Sequence, residues 1–155
     1  MKEAVMSSSR VSFDPTEHSL FNRLIELDLD RDHFAIFGSA PLYVRGMIPT
    51  IGDLDIIARG PAWDRARRLG VSVFGPLRGI PLIQFWGGKI EVFSEWLPRY
   101  WETDLLIDQA EWLSGFRFVR LECVLYYKFL LQRPKDLVHL DQVRNCLTAD
   151  NGSSG

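Results

Sequence analysis

The chain has 155 residues, a formal net charge of −2, 46% hydrophobic and 25% charged residues. This composition predicts one soluble globular domain with a sizeable core and argues against a polybasic nucleic-acid-coating or membrane-surface protein. The two cysteines, Cys123 and Cys146, belong to no CxxC or Cys/His cluster, which excludes a disulfide framework and a structural zinc site.

In chain order, residues 1–13 are polar and small and are expected to be disordered, and residues 148–155 read the same way. A single domain is expected over residues 14–147. No apolar signal-type segment and no run of membrane-spanning length occurs, so the expected compartment is the cytoplasm, with no membrane partner. Asp14, Pro15 and Glu17 have the arrangement of a helix start, and Leu20, Phe21, Leu24, Ile25 and Leu27 follow helical spacing. "HFAIF" (33–37) predicts a buried strand, "SAPLYVRG" (39–46) a short helix and "DLDIIA" (53–58) a second strand. Pro61 opens a further helix that Gly70 ends. "VSVFG" (71–75), "IPLIQFW" (80–86) and "KIEVF" (89–93) are strand-like, and Gly87-Gly88 signals a hairpin between the last two. From Asp104 the pattern turns helical, with "FRFV" (116–119) as a short edge strand. Two helices, "LECVLYYKFLLQ" and "KDLVHLDQVRNCL", break at Arg133-Pro134. The order predicts an α/β (α+β) fold, a small mixed β-sheet flanked by helices with a C-terminal helical cap.

Asp53 and Asp55 stand one residue apart at the mouth of an otherwise apolar strand. A strand puts positions i and i+2 on one face, so the two carboxylates project together and repel unless a cation lies between them. Hard cations such as Mg²⁺ take oxygen ligands and bridge to phosphates. Gly38-Ser39 follows a strand and opens a helix, a place where bare backbone and a hydroxyl suit phosphate. Glu91, on the next strand over, would be a third carboxylate, with Glu95 second in line. Three such acids would make a two-metal site for phosphoryl chemistry.

"GSAPLYVRG", "DLDII" and "KIEVF" resemble the core pattern of the nucleotidyltransferase superfamily, the DNA polymerase β-like fold. "LECVLYYKFLLQRPKDLVHLDQVR" (121–144) resembles the lysine helix and Lys-Asp motif of abortive-infection type II toxin-like and aminoglycoside or lincosamide nucleotidyltransferases. The resemblance spans roughly residues 33–145. It implies a Mg²⁺-dependent enzyme, with two ions and an NTP donor, that transfers NMP to an acceptor hydroxyl and releases pyrophosphate. The implied roles are metal binding and catalysis for Asp53, Asp55 and Glu91, and nucleotide or phosphate binding for Gly38, Ser39, Lys128, Arg133 and Lys135, with Asp136 beside the last. The family's arginine just before the D-x-D is missing, and Arg45 is the residue that could substitute for it. The final family aspartate is His139 here. The acceptor that the resemblance implies is a small molecule such as an antibiotic or metabolite. The alternatives are a toxin-like enzyme acting on RNA or protein, and a non-catalytic binding module of the same fold. A homodimer could complete the acceptor site.

Trp63, Trp86, Trp96, Trp101, Trp112 and the Tyr126-Tyr127 pair read chiefly as core, with Trp96, Tyr100 and Trp101 as candidates for an acceptor pocket. "DRARRL" reads as a solvated helix face. His18, His33 and His139 have no metal-ligand spacing, and "FGPLRGIP" lacks the lysine of a P-loop.

Overall fold

The computed structural model describes residues 13–75, 80–97 and 100–154. The disorder expected of residues 1–12 and most of the glycine-containing "FGPLRGIP" turn lie outside the described residues.

The described residues fold as a mixed α/β structure, a seven-stranded sheet flanked by six α-helices. Asp14 does cap, but it caps a 3₁₀ turn at Pro15–Glu17 by accepting from the Thr16 amide. The α-helix proper, α1 (Ser19–Leu27), starts later, where His18 Nδ1 accepts from the Leu20 amide at 3.2 Å. Its apolar spacing buries Leu20, Phe21, Leu24 and Leu27 on one side.

Strand β1 (Phe34–Phe37) is buried at every position because it lies mid-sheet with helices over both faces. The short α2 (Ala40–Val44) follows it directly. Strand β2 (Leu54–Ala58) leads into α3 (Gly60–Leu69), and Gly70 ends that helix as expected. Strands β3 (Val71–Phe74), β4 (Pro81–Phe85) and β5 (Ile90–Phe93) form an antiparallel meander. The β4–β5 hairpin turns through Gly87 and Gly88, both at positive φ, with Phe85 paired to Ile90. Then come α4 (Thr103–Asp108), β6 (Glu111–Leu113), β7 (Phe116–Phe118), α5 (Leu121–Leu131) and α6 (Pro134–Ser154). The helical backbone of α6 thus runs through residues 148–154, which composition had assigned to a tail. No helix among the described residues is long and apolar enough to cross a membrane.

The strand order is β3-β4-β5-β2-β1-β7-β6. β1 runs antiparallel to β2 and parallel to β7, and β2 runs parallel to β5. The "FRFV" segment is therefore interior and not an edge strand: β7 lies between β1 and β6, and the edge is β6. Ser114-Gly115 makes that last hairpin, with both residues at positive φ, as a two-residue connection of this kind requires.

Alternation along the strands splits the core into two layers. Phe34, Ile36, Leu54, Ile56, Ile90 and Val92 pack against α1, α2 and α3 on one face. Ala35, Phe37, Ile57 and Phe93 face Leu106 and Ile107 of α4, Val124 and Tyr127 of α5 and Val143 of α6. Each fully buried Phe or Ile contributes on the order of 1.5–3 kcal/mol, so the register of these strands is strongly fixed.

Candidate functional site

Asp55 sits in β2 with the buried Leu54 and Ile56 pointing to the opposite face. Register places it beside Phe37 of β1 on one side and Glu91 of β5 on the other. Glu91 is in turn the partner of Gln84 on β4, and Gln84 Nε2 donates to Glu91 Oε2 at 2.7 Å. Asp55 and Glu91 therefore project from the same sheet face, the one covered by α4, α5 and α6. Asp53 precedes the strand and is exposed.

The electrostatics follow from this crowding. Burial, the Asp53 charge and then the Glu91 charge push the Asp55 carboxyl from 3.8 up to about 7, while Lys135 and Arg133 pull it down. The repulsion expected between neighbouring acids is thus present in the fold. The acids are not, however, drawn together into a ready-made ion cage. Among the described residues no group of three or more His, Cys, Asp or Glu side chains stands close enough to hold a metal ion.

Gly38 has φ +68°, and a Cβ placed on it would lie 2.5 Å from Asp55 Oδ2. Only glycine both adopts that backbone freely and leaves room for the carboxylate. The bareness of this turn was expected to serve a phosphate; in the fold it first admits Asp55.

Ser39 precedes α2 but its hydroxyl makes no capping bond to the helix. It accepts instead from Lys128 Nζ at 3.0 Å and lies 3.4 Å from His139 Nδ1. Lys128 and Asp136 are both wholly buried, with Nζ to Oδ1 at 3.2 Å. Arg133 closes the network: its Nε donates to Asp136 Oδ2 at 2.6 Å, its Nη2 to Oδ1 at 3.0 Å, and its backbone amide also donates to Oδ2. Its Nη2 reaches the Tyr127 hydroxyl at 3.1 Å as well. Burial raises the Asp136 carboxyl, but the Arg133 hydrogen bonds and the Lys128 charge outweigh it, so the group is held ionised below its usual range. Burial lowers the Lys128 ammonium, and Asp136 opposes that. Lys128 and Arg133 are thus tied to Asp136, whereas Lys135 is exposed, and its charge, like that of Arg133, favours the ionised form of Asp55.

Arg45 is not brought to this site. Its Nη1 donates to the Pro41 carbonyl at 2.7 Å and its Nη2 pairs with Glu111 on the edge strand β6. The gap left before the D-x-D is therefore not filled by Arg45. Trp96 is core: it stacks on Phe37 with centroids 4.8 Å apart and packs edge-on against Phe93 and Tyr127. Tyr100 and Trp101 do line a pocket of about 300 Å³, together with Glu102, Leu105, Arg120 and Cys123. Burial raises the Cys123 thiol, which favours its protonated form.

Sequence reasoning missed Gln84, and it read Tyr127 correctly as core but not the contact of its hydroxyl with Arg133. Gln84 could have been found as the polar residue that shares a β4 face with the buried Leu82. Tyr127 carries no such signal, because its role depends on where Arg133 falls.

No family model matches the chain, and neither a curated protein nor a solved structure does.

Proposed function

We propose that the protein is a nucleotidyltransferase of the DNA polymerase β-like fold, taking an NTP as donor. The observation that carries the reading is the side-by-side register of Asp55 and Glu91 on parallel neighbouring strands, next to the Gly38-Ser39 turn. An acidic pair facing inward beneath a helical cap is a poor choice for stability, since burial and repulsion both disfavour its charged form.

Asp55 and Glu91 offer the carboxylate oxygens that a divalent cation takes, although among the described residues no group of three such side chains stands close enough to hold one. All the candidate ligands are oxygens, and Asp55 is raised first by burial and then by the Asp53 and Glu91 charges, which Lys135 and Arg133 offset only in part. Asp53, Asp55 and Glu91 would hold Mg²⁺, which when bound supplies charge neutralisation at the phosphates. The chain's own groups do the rest. The acceptor oxygen forms a bond to the α-phosphorus, the bond from that phosphorus to the bridging oxygen breaks, and pyrophosphate leaves with those electrons. Glu91, fixed by Gln84, takes the hydroxyl proton. Lys135, facing the acids from α6, attracts the polyphosphate, and the Lys128–Asp136–Arg133 network holds Ser39 in place against the Gly38 turn.

A second reading, a non-catalytic nucleotide-binding module of the same fold, is favoured by the failure of the three acids to close into an ion-holding group. Calorimetric titration of ATP, GTP, CTP and UTP, with and without Mg²⁺, separates these readings from no nucleotide role at all. Mg²⁺-dependent binding that disappears in Asp53→Asn/Asp55→Asn supports the metal-nucleotide site. Release of pyrophosphate in an acceptor screen with labelled NTP then distinguishes enzyme from module. Absence of binding to any NTP sinks both.

A further inference from the structure

A separate cavity of about 490 Å³ opens where α1 begins, and its lining includes His18, Arg23, Ile51, Gly52, Trp86 and Lys89. That volume is within the usual range of roughly 300–1,000 Å³ for small-molecule sites. The charged residues lining it are Arg23 and Lys89, and no carboxylate is among them. Among the described residues neither cation is paired with an acid. Two cations sharing one concavity repel each other mildly and attract an anion, most simply a phosphate.

Trp86 adds an aromatic surface. It is 40% exposed although most large apolar side chains of its hairpin are buried. Its φ is +50°, a conformation that is unfavourable for a bulky residue, and two glycines stand immediately after it. A glycine at position 86 would make the turn without strain, so the turn geometry alone does not call for the indole. The Arg23 guanidinium lies 4.9 Å from the centre of the Trp86 ring, which fixes cation and indole as one unit.

The cavity abuts the acids through the chain. Gly52 is the residue before Asp53, and the Lys89 carbonyl accepts from the Leu54 amide at 2.9 Å, which pins the 86–89 turn to the start of β2. α1 belongs to the sheet face opposite Asp55 and Glu91, so the cavity and the acids flank the same strand ends from two sides.

We propose that this cavity binds a nucleotide unit, with its phosphate between Arg23 and Lys89 and its base against Trp86. On the nucleotidyltransferase reading, on which this second step rests, that unit is the acceptor, a nucleoside monophosphate either free or at the end of a single strand. Base–aromatic stacking together with phosphate pairing is sufficient recognition for such a ligand.

The test is calorimetric binding of AMP, inorganic phosphate and a 5′-phosphorylated tetranucleotide to the wild type, Arg23→Glu, Lys89→Glu, Trp86→Gly and Asp53→Asn/Asp55→Asn. AMP affinity is expected to fall about 10-fold or more in each charge reversal. It should also fall in Trp86→Gly and hold in the double asparagine variant. Arg23 and Lys89 are exposed, so their replacement leaves the core intact. A tetranucleotide that binds at least 10-fold more tightly than AMP identifies a strand end as the source, and equal or weaker binding identifies the free nucleotide. AMP binding that is unchanged in both reversals overturns the proposal, as does inorganic phosphate binding as tightly as AMP. Mg²⁺-dependent NTP binding that survives in the double asparagine variant removes the transferase reading and leaves the cavity's nucleotide site standing.

Discussion

The Lys128 ammonium and the Ser39 hydroxyl meet at 3.0 Å across 89 residues of chain. This contact ties the first turn of the site to the helical cap. The same ammonium leans on Asp136, and both side chains are cut off from water. Asp136→Ala leaves Lys128 charged and unpaired in the interior, so it should cost about 3–5 kcal/mol in urea unfolding. Ser39→Ala removes one acceptor of several and should cost only about 1–2 kcal/mol. A ratio near one between the two would show that the network is not shared in this way.

The ionised Asp136 also sets an acid limit. Its carboxyl is held below its usual range in the fold, so the stability it contributes is present above the unfolded value of about 4 and is lost as pH falls further. The wild type should therefore lose stability below about pH 4 more steeply than Asp136→Asn does, as read by unfolding midpoints.

Asp55 acts with the opposite sign. Its folded carboxyl is raised from 3.8 to about 7, so between those values the folded protein keeps a proton that the unfolded chain has released. Stability from this group falls as pH rises through that window and is lowest above about pH 7. Asp55→Asn should accordingly be more stable than the wild type at about pH 8 and close to it at about pH 4. Mg²⁺ should stabilise the wild type at the higher pH and leave Asp55→Asn unmoved; a Mg²⁺ effect of equal size on both would place the ion elsewhere.

Gly38→Ala tests the close approach at the turn. The alanine must adopt a positive φ, at a cost of about 1–2 kcal/mol, and its Cβ collides with Asp55 Oδ2. The expected result is a lowered melting temperature together with weakened nucleotide binding, because Asp55 must turn aside. Stability loss with nucleotide binding intact would detach Asp55 from the nucleotide.

Arg45→Met is the converse. Its partner Glu111 is half exposed, and such a pair contributes at most about 1 kcal/mol. NTP affinity should be unchanged, since Arg45 faces the β6 edge and not the acids. A 10-fold loss of affinity would return Arg45 to the phosphate site.

The sequence by itself determined the alternation of β1, β2 and β5 and the helical spacing of α1. In those segments hydrophobic period and chain punctuation agree, and a one-residue slip would turn a whole buried face to water. Alternation likewise put Asp55 on the face opposite Leu54 and Ile56, but the expected pairing with Asp53 on that strand face fails, because β2 begins at Leu54 and leaves Asp53 outside it. The β6–β7 hairpin at Ser114-Gly115 is not read from the sequence, where the stretch from Asp104 looks helical; the fold places strand β6 (Glu111–Leu113) there. Tertiary structure decided the remainder. That β7 is interior depends on its pairing with β1, more than seventy residues earlier. That Glu91 stands beside Asp55 depends on β5 running parallel to β2, and that Arg45 is spent on Glu111 depends on where the edge strand lies. Ser39 faces Lys128 instead of capping α2 because α5 packs over the turn with a buried ammonium that needs an acceptor. Local patterns fix which face a residue takes, but only the packing of distant segments supplies the partner it meets there.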